Sequence, residues 1–295
     1  MDEQTYALAT KAAWYYYMED NTQAQIAEVM GISRAKVIRL LEEARAQGIV
    51  QFSFRKNDSQ RISAEQLLID RFGLKDAFVV PTPLDSSAIN QSIAQSAAHY
   101  VSDHLREDGY LNIGYGDTVS RMLGFLAKNR EESLNVVSLT GGVSYLPTVG
   151  TTAYSMRLFL TPSPLVVSSR QVRDALLDEK SLQDVSTMTE YADMSVVGIG
   201  AAVEGATVLR NGILNEGELA VLKMQGAVGD ILNHFVDKDG NLIQTEIEDR
   251  VISTDLDKLR QLKNVVGVAG GKDKVTAIKA VLNGGYLNVL ITDSD

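Results

Sequence analysis

Short apolar segments rich in β-branched residues alternate with helix-like segments over most of this chain, and no other feature limits its fold as strongly. The strand-like segments are 77–80, 110–113, 135–139, 165–167, 195–199, 265–268 and 287–291. The helix-like segments between them are 87–106, 118–129, 172–178, 182–191, 216–223 and 274–282. Apolar strands that alternate with helices indicate a parallel sheet covered by helices on both faces. We therefore expect an α/β fold with a Rossmann-like parallel sheet.

The N-terminal residues depart from this pattern and predict an all-α head. The first helix is expected to cover residues 2–19. Thr22 is a suitable N-cap for a second helix, because its hydroxyl can accept a hydrogen bond from a free backbone N–H. Gly31 permits a turn with positive φ, and Ser33 is expected to cap the third helix. This order of elements is typical of a helix-turn-helix.

The second and third helices also have the side chains that a DNA-binding helix-turn-helix requires. Ala27 lies where the two helices must approach closely. Apolar residues fall on the shared inner face, namely Ile26, Met30, Ile32, Val37 and Leu40. Arg34, Lys36 and Arg39 lie near the start of the third helix, which is the part of a recognition helix that enters the major groove. The alternative is an ordinary helical hairpin with a solvated basic face.

The chemistry of each side chain suggests its contact with DNA. Arg34 is expected to contact a base edge, because a guanidinium can pair with guanine through two hydrogen bonds. Lys36 and Arg39 are expected to contact bases or phosphates. Further phosphate contacts, through side chains or helix N-termini, are expected from Thr22, Gln23 and Ser33.

A polar stretch separates this head from the α/β segments. Residues 49–54 alternate like a short strand, and residues 55–60 (RKNDSQ) are the expected linker. We therefore predict a helix-turn-helix DNA-binding domain over 1–56 and an effector-binding and oligomerisation domain over 57–295. The net charge of −10 arises in the second domain, because residues 1–57 contain seven basic and seven acidic residues. Contact with DNA is therefore expected to be confined to the head.

Glycine-rich turns follow several of the predicted strands. They are 114–118 (GYGDT), 140–142 (TGG), 198–201 (GIGA) and 269–274 (AGGKDK). The carboxyl ends of parallel strands line one crevice of an open sheet, where ligands bind, and helix N-termini at that edge suit an anion. Lys274 would add a cation, so phosphate is the expected anion. Each turn taken alone is equally consistent with ordinary tight-turn geometry.

A carboxylate follows another glycine-containing segment, residues 226–230 (GAVGD). Asp230 could accept hydrogen bonds from neighbouring hydroxyl groups of a sugar, because an ionised carboxylate offers two acceptor oxygens. The alternative is a helix stop followed by a turn, with no role for a ligand. Asp230 is therefore a candidate contact for a polyol.

The composition excludes several kinds of site. The chain has no cysteine, which excludes disulfides, thiolate catalysis and cysteine-bound metals. His99 and His104 point to different faces of a predicted helix, so we expect no zinc site, no other metal and no cofactor. No apolar run approaches the roughly 20 residues that span a bilayer, and the acidic N-terminus lacks the features of a secretory signal. We therefore expect a cytoplasmic protein with no membrane partner.

Motifs along nearly the whole chain resemble those of the SorC/DeoR family of sugar-binding transcriptional regulators. They are YYYMEDNTQAQIAEVMGISRAKVIRLLEEARAQGIV, GYGDT, LTGGV, VVGIGA, GAVGDILNHFVDKDG, GVAGGKDKVTAI and GGYLNVLITD. The resemblance implies an effector domain similar to sugar-phosphate isomerases and glucosamine-phosphate deaminases. It also implies homo-oligomers, often tetramers, that leave operator DNA or rearrange on it when the effector binds.

The resemblance assigns roles to residues at matching positions. It implies that Gly116, Asp117 and Thr118 form a phosphate loop, and that Gly141 and Gly142 form a second wall of the site. The hydroxyl and phosphate contacts that it implies are those of Asp230 and Lys274.

Two departures from the family pattern also carry expectations. Some members have a lysine immediately before the double glycine, and this lysine forms a Schiff base with an aldehyde effector. That position is Thr140 here, so we expect no covalent capture of the effector. The chain ends at Asp295, where members usually continue into a short closing helix, so the resemblance implies a shortened C-terminus.

These features predict a DNA-binding transcriptional regulator of a carbohydrate-use operon, controlled by a small sugar and most simply by a sugar phosphate. Repression relieved by the effector is favoured over activation, and two heads of a homo-oligomer are expected to bind a palindromic site. The alternative is a sugar-phosphate isomerase or deaminase with a fused DNA-binding head. Asp117, Asp193 and Asp230 could serve as its general base. Because no histidine–carboxylate pair has a recognisable spacing, we expect no catalytic residues.

Overall fold

A computed structural model of the chain describes residues 3–50, 56–129, 133–142 and 156–295. The chain divides into two compact units, Met1–Ser59 and Gln60–Asp295. These units are called the head and the body below. None of the helices within the described ranges is long and apolar enough to cross a membrane.

The head contains the expected helices α1 (Glu3–Tyr17), α2 (Gln23–Met30) and α3 (Arg34–Ala46). Thr22 caps α2 in a reciprocal capping box with Gln25, which satisfies two backbone N–H groups at the start of the helix. Gly31 ends α2 with φ +63°, a conformation that costs a glycine little. Ser33 caps α3 by accepting a hydrogen bond from the Lys36 N–H at 3.2 Å. Local capping chemistry therefore sets the helix boundaries of the head.

A small apolar core holds the three head helices together. Its buried members are Ala9, Ala12, Ala13, Ile26, Val37, Leu40, Leu41 and Ala44. The alanines of α1 permit a close approach to α3, because their methyl side chains take up little space between the two helices. Met30 and Ile32 pack against this core from its margin. The inner face predicted from the sequence is therefore confirmed.

The body alternates strands and helices as expected. Its strands are β1 (Asp76–Val80), β2 (Tyr110–Ile113), β3 (Leu134–Ser138), β4 (Met156–Phe159), β5 (Met194–Ala201), β6 (Gly229–Ile231), β7 (His234–Val236), β8 (Val265–Val268) and β9 (Val289–Asp293). Helix α4 (Lys56–Phe72) begins in the last residues of the head and continues into the body. The other helices of the body are α5 (Ile89–His104), α6 (Asp117–Asn129), α7 (Arg170–Leu177), α8 (Lys180–Tyr191), α9 (Thr207–Arg210), α10 (Glu216–Met224), α11 (Leu256–Gln261) and α12 (Val275–Asn283).

The main sheet is parallel throughout and has the strand order β1-β9-β8-β5-β2-β3-β4. Successive strand residues point to opposite faces, so Val197 packs in the cluster with α11 and α12 while Val196 packs in the cluster with α5 and α6. From β2 the chain runs outward to β3 and β4, and it then returns to β5 on the other side of β2. This reversal is a topological switch point, where open sheets form a ligand crevice at the carboxyl ends of their strands.

A short antiparallel hairpin extends the sheet. Strand β6 pairs with the end of β5, and β7 pairs with β6. A turn at Asp239–Gly240 follows β7, with Gly240 at φ +86° and the Asp237 N–H donating to the Asn241 carbonyl at 3.0 Å. Strands β6 and β7, three residues each, were not predicted.

The structure corrects several boundaries that the sequence suggested. The expected linker 55–60 is helical from Lys56 onward, because its polar residues form the first turns of α4 rather than a flexible connection. Residues 51–55, which include most of the expected strand 49–54, lie outside the described residues. The last strand begins at Val289 rather than at residue 287.

The segment 165–167 is not a strand of the main sheet. Val166 forms only an isolated antiparallel bridge with Val251, although Leu165 and Val167 are buried. A short apolar run has the same pattern in a buried connection as in a buried strand. Strand β4 was missed for the opposite reason, because it is an edge strand whose Arg157 and Leu158 are exposed.

Candidate functional site

A cavity of about 1170 Å³ lies at the carboxyl ends of β1, β9, β8, β5 and β2. The glycine-rich turns at 114–118, 198–201 and 269–274 meet in its wall. The turn at 140–142 does not line it. The cavity sits beside the switch point between β2 and β5, so the sheet topology itself brings these separate turns together.

The first wall of the cavity is the turn that leads into α6. Gly116 has φ +141° and leaves room in front of the helix, which begins at Asp117. The Asp117 carboxylate accepts hydrogen bonds from Asn90 Nδ2 at 3.0 Å and from Arg121 Nε at 2.9 Å. Burial tends to raise the pKa of Asp117, but the hydrogen bonds from Arg121 and Asn90 outweigh it and leave the pKa below its ordinary value. Thr118 is buried in the first helical turn.

Asp230 forms a second wall from strand β6. It lies opposite Gly200 of β5, and a Cβ atom at Gly200 would collide with the Asp230 carboxylate. Its Oδ2 accepts a hydrogen bond from the Asn233 N–H at 3.2 Å. Burial raises the pKa of Asp230 to about 6, partly opposed by the Asn233 hydrogen bond and the nearby charge of Lys274. The glycine therefore makes the space in which a carboxylate can face the cavity.

Lys274 supplies a cation to the same cavity. It is the last residue of a 3-10 turn, Lys272–Lys274, and directly precedes α12. Burial lowers the pKa of its ammonium group, while the carboxylates of Asp230 and Asp117 favour the charged form. Within the described parts of the chain its side chain has neither an ion-pair partner nor a hydrogen-bond partner. The amine is therefore available to a ligand.

Asp293, at the end of β9, is a structural residue of the site that the sequence analysis missed. Its Oδ1 accepts a hydrogen bond from the Gly271 N–H at 2.8 Å, and its Oδ2 accepts one from Thr82 Oγ1 at 2.8 Å. These bonds fix the glycine turn that precedes Lys274. The missed signal is the position of Asp293, because it ends an apolar strand at the ligand-binding edge of the sheet. Other missed lining residues are Asn90, Arg121 and Arg210.

Gly141 and Gly142 lie apart from this cavity. The Gly141 N–H donates to the Ile252 carbonyl at 2.9 Å, and a Cβ atom at Gly141 would collide with the Pro164 carbonyl. The Gly142 N–H donates to the Ser163 carbonyl at 2.8 Å. Both glycines line smaller neighbouring spaces. Their positions are explained by close backbone packing, which is the tight-turn alternative for this segment.

The expected DNA-contacting residues lie at the starts of α2 and α3 in the head. Arg34 Nε donates to Gln23 Oε1 at 3.4 Å, which joins the beginnings of the two helices. Lys36 and Arg39 are exposed on α3, and Arg39 Nε lies 3.5 Å from Glu43 Oε1. Thr22 and Ser33, the remaining candidates, are the N-caps of α2 and α3.

Comparison with known proteins gives consistent matches over the whole chain. Residues 57–295 match the family model described as "Putative sugar-binding domain". The transcriptional regulator LsrR of Klebsiella pneumoniae is 36% identical over 294 residues, which cover 97% of this chain and 90% of that protein. The deoxyribonucleoside regulator of Bacillus subtilis is 32% identical over 99% of this chain and 96% of its own length.

A solved structure extends the match to both units. The full-length sorbitol operon regulator SorC from Klebsiella pneumoniae is 28% identical, with a TM-score of 0.71 over 99% of this chain and 97% of that chain. These relatives are transcriptional regulators, so the alternative of a sugar-phosphate enzyme with a fused head is not favoured. The chain therefore belongs to the family of sugar-binding transcriptional regulators that includes SorC, with a helix-turn-helix head and an α/β body.

Proposed function

We propose that this regulator binds a small phosphorylated sugar in the 1170 Å³ cavity, and that this binding changes how its heads hold operator DNA. The observation that carries the proposal is the Lys274 amine, which faces the cavity without a protein partner in the described residues. The carboxylates of Asp230 and Asp117 favour the charged form of this amine without bonding to it, so its N–H donors are left for a phosphate group, which accepts charge-assisted hydrogen bonds.

The proposed contacts divide the effector into an anionic end and a hydroxyl-bearing end. The phosphate would lie between Lys274 and the turn at Gly116, where the free N–H groups at the start of α6 can donate to its oxygens. Arg121 already offsets the charge of Asp117, so this carboxylate does not repel the phosphate strongly. The buried Asp230 would accept hydrogen bonds from sugar hydroxyls. Gly141 and Gly142 are left out of the proposed contacts, because they line other spaces.

The relatives suggest which sugars to test. One is named for deoxyribonucleosides and another for the sorbitol operon, so phosphorylated pentoses and hexitols are the first candidates. A thermal-shift screen should compare each phosphate ester with its free sugar and with inorganic phosphate. We expect an ester to raise the melting temperature most, because a ligand that binds only the folded protein stabilises it by mass action. Equal shifts from the free sugars would contradict the phosphate part of the proposal.

The mode of regulation is also proposed. A homodimer or homotetramer of bodies, acting in the cytoplasm, would set the spacing of two heads on a palindromic operator. Effector binding would favour a second arrangement of the oligomer with a different spacing, and repression would be relieved. Gel-shift titrations with the effector from the screen test this step. Tighter DNA binding with effector present would reverse the proposed sign.

Lys274→Ala is expected to weaken effector binding by roughly 10- to 100-fold, because a charge-assisted hydrogen bond contributes about 1.5–3 kcal/mol. Isothermal titration calorimetry with the effector from the screen measures this loss. Lys279→Ala is the matched control, because it removes the same charge from the exposed side of α12 outside the cavity. Unchanged affinity in Lys274→Ala would remove the amine from the proposed site.

Effector affinity is expected to depend on pH through Asp230, whose pKa burial raises to about 6. The proposed contact uses the ionised carboxylate as an acceptor, so affinity is nearly complete at pH 7 and is lost as the pH falls through 6. One linked proton predicts a loss of about tenfold between pH 7 and pH 5. A sulfate ester of the same sugar is the appropriate probe, because its charge stays constant where a phosphate titrates. A flat profile with this probe would exclude Asp230 from the contact.

A further inference from the structure

Recognition helix α3 carries an isoleucine on its outward face. Val37, Leu40 and Leu41 are buried in the head core, whereas Ile38 is 37% exposed and is not among the residues packed on that core. Ala35 is exposed three residues earlier, so the two side chains are neighbours on one side of α3 outside the head core.

The stability of the head does not explain Ile38. A β-branched side chain is a weaker helix former than alanine or leucine, and Ile38 is not among the side chains that pack on the buried core of the head. Its surface neighbours on α3 are Arg34 and Ala35 one turn toward the N-terminus and Glu42 one turn toward the C-terminus. The N-terminal half of α3 also exposes the cations Arg34, Lys36 and Arg39, so it suits a partner that is negatively charged overall and has an apolar group opposite Ile38. Double-stranded DNA is such a partner, whereas an apolar protein partner would leave these charges poorly solvated.

The major groove contains one apolar group that such a side chain can recognise. Of the four bases only thymine presents a methyl group there, at C5, and alanine or larger apolar side chains contact it. Resting on the proposed DNA-binding role of the head, we infer that Ile38, together with Ala35, reads a thymine methyl next to the base pair contacted by Arg34. Ile38 is then a specificity-determining residue rather than a packing residue.

The test begins by selecting a preferred duplex from a random library with the full-length protein. Each thymine of that duplex is then replaced in turn by uracil, which removes only the C5 methyl group. We expect one position in each half-site to lose about fourfold in affinity, which corresponds to one buried methyl group at about 0.8 kcal/mol. Ile38→Ala should bind the thymine duplex more weakly and should distinguish thymine from uracil at that position less than the unaltered protein does. Fluorescence anisotropy at fixed salt measures both effects.

Val29→Ala is the matched control, because Val29 is a more exposed aliphatic residue on α2 of the same head. This variant should retain the full thymine preference.

A uracil effect that persists unchanged in Ile38→Ala would overturn the inference, and so would the absence of any uracil effect in the unaltered protein. A change in oligomeric state of Ile38→Ala would instead assign the side chain to a protein contact. Failure to select any duplex would contradict DNA binding by the head itself, which separates the two claims.

Discussion

Arg34→Ala is expected to reduce affinity for the operator by roughly 100-fold or more, because an arginine–guanine pair contributes about 1–3 kcal/mol and each of two heads would lose one. Arg34 lies at the start of α3, and its Nε donates to Gln23 Oε1 at 3.4 Å. This bond uses Nε and neither of the terminal nitrogens of the guanidinium, so both would remain available for a base. The loss should therefore be larger for the operator than for unrelated DNA.

Arg34→Lys separates base recognition from charge. Lysine keeps the positive charge but lacks the planar fork that makes two parallel hydrogen bonds. We expect this variant to bind unrelated DNA normally and to lose most of its preference for the operator. Anisotropy titrations at several salt concentrations measure both quantities, because phosphate contacts set the salt dependence. Equal losses on operator and unrelated DNA would assign Arg34 to phosphate rather than to a base.

The head could be predicted from its sequence because local interactions determine it. Thr22 and Ser33 mark the starts of α2 and α3 through side-chain hydrogen bonds to residues three positions along the chain. Gly31 ends α2 in a conformation that most other residues avoid. Each signal lies within one helical turn of the boundary that it sets. These boundaries can therefore be predicted without knowledge of the tertiary fold.

The candidate effector site could be predicted only in part, because distant segments complete it. The glycine turns and Lys274 follow recognisable strands, and the parallel topology brings most of them to one cavity. Asn90 and Asp293 act through hydrogen bonds to Asp117 and to the Gly271 N–H, across 27 and 22 residues. Such partners have no local signature, so only the folded sheet identifies them.

The same limit explains the misplaced double glycine. The turn at 140–142 follows a buried strand as the other turns do, and sequence alone gives it the same role. In the structure the segment after β3 packs against a connection instead, where Gly141 lies against Pro164 and Ile252. Which strand ends share a cavity depends on strand order, and the strand order is a property of long-range pairing.

His234 in β7 shows how such long-range contacts also stabilise the body. The ring is almost fully buried, with Nδ1 2.9 Å from Glu248 Oε1 and Nε2 3.1 Å from the Thr254 carbonyl oxygen. A carbonyl oxygen and a carboxylate both only accept hydrogen bonds, so the ring satisfies the two contacts by donating from both nitrogens. One side chain thus connects β7 to two points of the segment that leads into α11.

His234→Leu is expected to lower the free energy of unfolding of the body by about 3–5 kcal/mol, because removing one partner of a buried pair leaves the other without compensation. Glu248, whose side chain is 15% exposed, would remain as that uncompensated charge. Urea unfolding monitored by circular dichroism measures the loss.

His99→Leu is the surface control, and its effect should stay within about 0.5 kcal/mol. The double variant His234→Leu/Glu248→Leu should recover much of the loss, because apolar side chains can replace a buried pair at little cost. A double variant as unstable as the single one would show that the imidazole acts through packing and its bond to Thr254, and not through the pair.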